Sequence, residues 1–178
     1  INDPDIAVFV RTDEQERAAR ELGIEKIYNS ENFVARNHTT YIDGQETVLA
    51  GGLGALDYYK EKDVELVTDY SLNIVNAEAL DVLFKNGASR VTLSHEMNRD
   101  RINQISEDYK LLTGGYPNLE MIAYGYIELM QTKYNPLKTK NVVNSETNEF
   151  YLRDKFTEFR ILPLSDGDTT IILNGKRL

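Results

Sequence analysis

The chain has 178 residues, 41% apolar and 28% charged, enough for one domain with a real core. Lys plus Arg number 20 against 29 Asp plus Glu, and the net charge of −9 argues against a generic nucleic-acid or anionic-membrane surface. Cysteine is absent, which excludes disulfides, thiolate zinc sites, Cys-ligated iron–sulfur clusters and a cysteine nucleophile within this chain.

No apolar run approaches the ~20 residues that span a bilayer. The opening Ile1-Asn2-Asp3-Pro4-Asp5 is acidic where a secretory signal is basic, so the expected compartment is the cytoplasm. Ile1 stands where a start methionine would, pointing to a chain trimmed or cut from something longer.

Short β-rich runs then alternate with helical stretches. Ile6–Val10 is continuously apolar, as a strand buried on both faces should be. Thr12 with Gln15 forms a capping box for a helix that stops at Gly23. Ile24–Tyr28 is a second strand. Val48–Ala50 leads through Gly51-Gly52 into a helix over 53–61, and Val64–Thr68 is a strand. A helix follows over 75–86, ended by Gly87. Arg90–Leu93 is a strand, 99–112 a helix ended by Gly114-Gly115, and Leu119–Tyr124 a last strand. Repeats of this kind mean parallel βαβ units with right-handed crossovers. Six strands are too few for an eight-stranded barrel, which takes about 250 residues. The rhythm fails over 29–47, which lacks a convincing helix.

After Gln131 the pattern changes. Lys133-Tyr134-Asn135-Pro136-Leu137-Lys138 is a basic loop, and Phe150–Arg153, Glu158–Leu164 and Thr169–Leu173 are antiparallel strands, the last two joined at an Asp166-Gly167 turn. The expected fold is therefore α/β: incomplete TIM-barrel-like parallel βα units over 1–132, followed by a small antiparallel β appendage over 133–178, packed on that body.

Ligands of parallel α/β folds collect at the carboxyl ends of strands. The richest such stretch is Asp69-Tyr70-Ser71-Leu72-Asn73-Ile74-Val75-Asn76. Asn73 and Asn76 serve there as substrate contacts or as helix caps. Ser94-His95-Glu96 follows the next strand, with Glu96 as acid, base or ligand, or Ser94 and Glu96 as a simple helix start. Adjacent residues rarely converge as a triad. His38 and His95 are the only histidines, and no His-Glu-x-x-His or phosphate-loop signature occurs. Gly51-Gly52-Leu53-Gly54 admits either an anion or close strand–helix packing.

The segment from Asp69 onward resembles a known family. Ser71-Leu72-Asn73 with Asn76, then Leu93-Ser94-His95-Glu96-Met97, then Tyr124-Gly125-Tyr126-Ile127-Glu128-Leu129-Met130, then Leu152-Arg153-Asp154 and Leu173-Asn174-Gly175-Lys176 are similar, in order, to marks of the collagenase-like peptidases of unassigned catalytic type, peptidase family U32. The resemblance spans residues 64–178, more loosely 6–63. It implies a barrel-like α/β fold and a peptidase, a hydrolase acting on protein or peptide. Relatives also include hydroxylation factors for RNA or quinone precursors that use a Cys-held iron–sulfur cluster. This chain has Tyr134-Asn135-Pro136 where the family has Tyr-Cys-Pro, and an amide cannot replace a thiolate, so no cofactor and no metal are expected.

Three functions follow. In a peptidase, Glu96, Asp69, Ser71 and His95 are the catalytic candidates, and Asn73, Asn76, Ser94 and Tyr124 the substrate contacts. In a non-catalytic binding or accessory domain, lost metal ligands and exposed strand edges favour pairing with a second copy or with the remainder of a longer chain. An RNA-modification factor would use Lys133, Lys138 and Lys140, and ranks last on charge.

Overall fold

The computed structural model describes residues 5–36, 40–41, 43–134, 150–163 and 169–177. His38, Asn135, Pro136, Lys138, Lys140 and the Asp166-Gly167 turn lie outside these described residues. The chain divides into two compact units, Ile1–Ile122 and Ala123–Leu178.

In the first unit, β1 (Ala7–Phe9) pairs in parallel with β2 (Lys26–Tyr28), and α1 (Asp13–Glu21) connects them. The capping box forms: Thr12 Oγ1 accepts from the Gln15 N–H at 3.3 Å, and the Gln15 side chain accepts from the Arg11 N–H at 2.8 Å. A second parallel sheet takes β3 (Phe33–Val34), β4 (Thr47–Ala50), β5 (Glu65–Thr68), β6 (Arg90–Thr92) and β7 (Leu119–Glu120) in chain order. Between its strands run α2 (Leu53–Tyr59), a 3₁₀ turn (Tyr70–Leu72), α3 (Ala77–Lys85) and α4 (Arg99–Thr113).

Period-two alternation divides the strand side chains between two layers. Val48, Ala50, Leu66, Val91 and Leu93 pack with Ala55, Leu56, Tyr59, Leu80, Leu83 and Ile105 of the helices. Leu49 and Val67 face the other way, against Tyr28, Ala7 and Phe33. This two-sided burial explains why Val48–Ala50 of β4 and Leu66 and Val67 of β5 read as consecutive apolar residues.

Several boundaries differ from the sequence expectation. β7 ends at Glu120 rather than Tyr124. β3, two residues long, lies inside the stretch 29–47 that lacks a convincing helix, and so short a strand leaves no periodic trace. Asn98, not Ser94, caps α4 by accepting from the Arg101 N–H at 3.0 Å. Gly114 closes that helix at φ 87°, the left-handed conformation a helix end calls for.

The second unit is a four-stranded antiparallel sheet in the order β8 (Glu128–Thr132), β11 (Thr170–Leu173), β10 (Glu158–Pro163), β9 (Phe150–Arg153). Ile161 faces Phe150 on one side and Ile172 on the other, and, among the described residues, Ile127, Ile161, Ile171 and Leu173 are its buried apolar residues. Among the described residues, no helix is long and apolar enough to cross a membrane.

Candidate functional site

Three turns meet at the carboxyl ends of β4, β5 and β6. β5 stops because Asp69 takes over as a cap: its Oδ2 accepts from the Ser71 N–H at 3.1 Å and starts the 3₁₀ turn. Asn73 closes that turn at φ 53°, ψ 50°, a left-handed conformation that asparagine tolerates. Asp69 is buried, and burial pushes its carboxyl above the usual carboxylate range. Hydrogen bonds from Ser71 and Tyr70, and the positive charge of Arg36, oppose that rise. The Ser71 hydroxyl lies between the Gly51 carbonyl, 3.0 Å away, and the Asp69 carboxylate, and can give its single proton to either.

Ser94 lies just beyond β6 and is buried. Its N–H donates to the Ile74 carbonyl at 3.3 Å and its Oγ accepts from the Glu96 N–H at 3.3 Å, so the two turns are sewn together. The His95 ring stands edge-on to Tyr70 at 5.5 Å between centroids. Its buried Nδ1 has no hydrogen-bond partner among the described residues. Glu96 is exposed.

Asp69, Ser71, Asn73, Ser94, His95 and Glu96 therefore share one end of the parallel sheet. Asn76 follows the same turn, but its side chain is engaged as the cap of α3, accepting from the Ala79 N–H at 2.8 Å. Tyr124 belongs to the second unit, where it is exposed and its hydroxyl accepts from Arg177. The Arg177 guanidinium also lies over the Tyr124 and Tyr126 rings, at 5.6 and 5.2 Å.

Two groups escape the sequence reading. Arg36, just after β3, is exposed and donates from Nη2 to the Ser71 carbonyl at 2.9 Å. Finding it requires β3, which the pattern does not reveal. The second group is a polar network on the sheet face away from the main helical core. Arg90 is buried, with Nε 2.7 Å from Glu120 Oε1 and Nη2 3.2 Å from Glu65 Oε1. Nη2 also donates to the Tyr28 hydroxyl at 3.1 Å, and that hydroxyl donates to Glu120 at 2.8 Å. Thr92 and Thr47 donate to Glu120 and Glu65, each at 3.1 Å. Burial first, then the Glu120 charge, pushes the Tyr28 phenol well above its ordinary range. The available signal was a Glu or an Arg opening the otherwise apolar strands at Glu65 and Arg90.

A thiolate-held cluster does not fit this chain, which has no cysteine. Among the described residues, no group of three or more His, Asp or Glu is arranged to hold a metal ion. A sequence model described as peptidase family U32 matches residues 17–131, well over half the chain. No curated protein and no solved structure matches it significantly.

Proposed function

Because this chain belongs to peptidase family U32, we propose that the rim at the carboxyl ends of β4, β5 and β6 is a peptide-hydrolysing site with Asp69 as its acid–base group. The observation that carries the reading is the position of Asp69: a buried carboxyl with a raised pKa, at the sheet end where parallel α/β folds bind ligands. A carboxylate of raised pKa is a stronger base than an exposed one. In hydrolysis, a water oxygen bonds to the peptide carbonyl carbon while its proton passes to Asp69. The C–N bond then breaks, and Asp69 returns that proton to the leaving amine. Glu96 orients the water from the neighbouring turn, and Asn73 and Ser94 contact the substrate backbone. Ser71 is the alternative nucleophile, since its hydroxyl, which donates to the Gly51 carbonyl, lies within reach of Asp69 and can turn its proton to that carboxylate. The chain order of β3 to β7, with a polar network on one sheet face, supports reading the first unit as part of a TIM-barrel wall.

A second reading, a non-catalytic binding domain of the same family, is favoured by the engagement of Asp69 and Asn76 in capping bonds. Hydrolysis of a fluorogenic gelatin separates the two. Asp69→Asn should lower kcat about 10²-fold or more, and Glu96→Gln should lower it as well. Unchanged hydrolysis in both variants removes the assignment. A wild-type chain that binds peptides without cleaving them establishes the second reading.

A further inference from the structure

The Gly51-Gly52 pair is explained by what passes beside it. A Cβ on Gly51 would stand 2.8 Å from the Val34 carbonyl oxygen and 2.9 Å from the Arg36 nitrogen, and one on Gly52 would stand 3.2 Å from the Arg36 carbonyl oxygen. The Gly51 N–H donates to Val34 O at 2.8 Å. The two glycines thus let the segment leaving β3 lie flat against the corner between β4 and α2, and that packing fixes the Arg36 backbone. The side chain then crosses to the turn after β5, where, among the described residues, it is held by one bond to the Ser71 carbonyl.

One bond of this kind leaves a guanidinium with most of its five N–H donors free. Among the described residues, no other hydrogen bond and no contact ion pair engages Arg36. The nearby carboxylate, Asp69, is buried and feels Arg36 through its field. A planar cation, anchored at one nitrogen and exposed beside the proposed reacting group, is built to receive a planar anion through two parallel N–H···O bonds. In a chain of net charge −9, an anionic substrate group gains little elsewhere and needs such a local partner.

We propose that Arg36 is a specificity residue that binds a carboxylate of the peptide substrate, either its C-terminal carboxylate or an Asp or Glu side chain close to the cleaved bond. This inference rests on the peptide-hydrolase reading for its substrate, yet it is tested by binding.

The experiment uses the full chain carrying Asp69→Asn, so that nothing is turned over, and fluorescence anisotropy with three labelled pentapeptides. One is an alanine-rich peptide with a free C-terminus, the second is its C-terminal amide, and the third is that amide with one internal Glu. One of the two charged peptides should bind about tenfold more tightly than the plain amide, as a charge-assisted bidentate pair implies. Whichever of the two shows the gain identifies the carboxylate. Adding Arg36→Gln should erase the difference, and Arg36→Lys should keep part of it. Thermal denaturation of each variant, with Thr113→Ala as a distant control, separates loss of the cation from loss of the fold. Equal binding of all three peptides, no binding of any, or discrimination that survives in a folded Arg36→Gln variant would overturn the proposal. Should discrimination hold while the wild-type chain cleaves nothing, the hydrolase reading falls and the carboxylate site stands. Should the wild-type chain cleave acid and amide alike, the reverse is true.

Discussion

Asp69 is asked to do two things that oppose each other. Its Oδ2 must accept from the Ser71 N–H to start the 3₁₀ turn, and its burial makes the charged form costly. Because the folded-state pKa lies above the unfolded value, the folded chain holds more protons than the unfolded chain between the two. The stability contributed by this group is therefore full below the ordinary carboxylate pKa and is lost as pH rises through the raised folded value. Asn keeps the capping oxygen and has no charge to desolvate. Asp69→Asn should therefore be at least as stable as the wild type at pH 7, with the advantage disappearing near pH 3. Urea melts at the two pH values read this directly, and a less stable variant at pH 7 would contradict it. The residues of this rim were legible because Asp, Ser, Asn and Glu directly follow apolar strands. Arg36 was not, since its relevance depends on a close backbone approach that no local pattern encodes.

Among the elements, helices were more readable than strand ends. Thr12 with Gln15, and the glycines after α1, α3 and α4, are chemical punctuation whose effect is local. β3 and the true end of β7 depend on partners across the sheet: Phe33 and Val34 pair with Leu49 and Ala50, and Glu120 pairs with Thr92. The corner between β4 and α2 gives an element-scale prediction. Gly51→Ala must displace the β3 exit by a few tenths of an ångström or more, because its Cβ meets the backbone of Val34, Ala35 and Arg36. It should cost about 1–3 kcal/mol, the range for overpacking a filled site. It should also loosen Arg36, so that carboxylate discrimination falls together with the urea midpoint. A Gly51→Ala chain with unchanged stability would mean that β3 does not lie against this corner.

Across the first unit, the parallel α/β grammar could be read from alternation alone, because two-sided burial writes itself as apolar runs separated by helical periods. The polar side of the sheet could not, because Glu65, Arg90 and Glu120 lie 25 or more residues apart in sequence and meet only through register. β8 was equally hidden: Glu128–Thr132 alternates weakly, and its place beside β11 is set by a strand some 40 residues later.

The Arg90 network has one further consequence. β2 shares a backbone ladder with β1, and its hold on the five-stranded sheet comes from apolar contacts around Tyr28 together with the Tyr28–Arg90–Glu120 bonds. Fastening mostly by side chains, with one backbone bond from the Phe33 N–H to the Asn29 carbonyl at the β2–β3 turn, permits a segment to lift away as a piece while the main ladder stays closed. Amides of β1, α1 and β2 should accordingly exchange with deuterium sooner than those of β4 and β5. Arg90→Met should accelerate exchange in β1–β2 before it touches β4, and uniform acceleration across both sheets would show that the unit opens only as a whole.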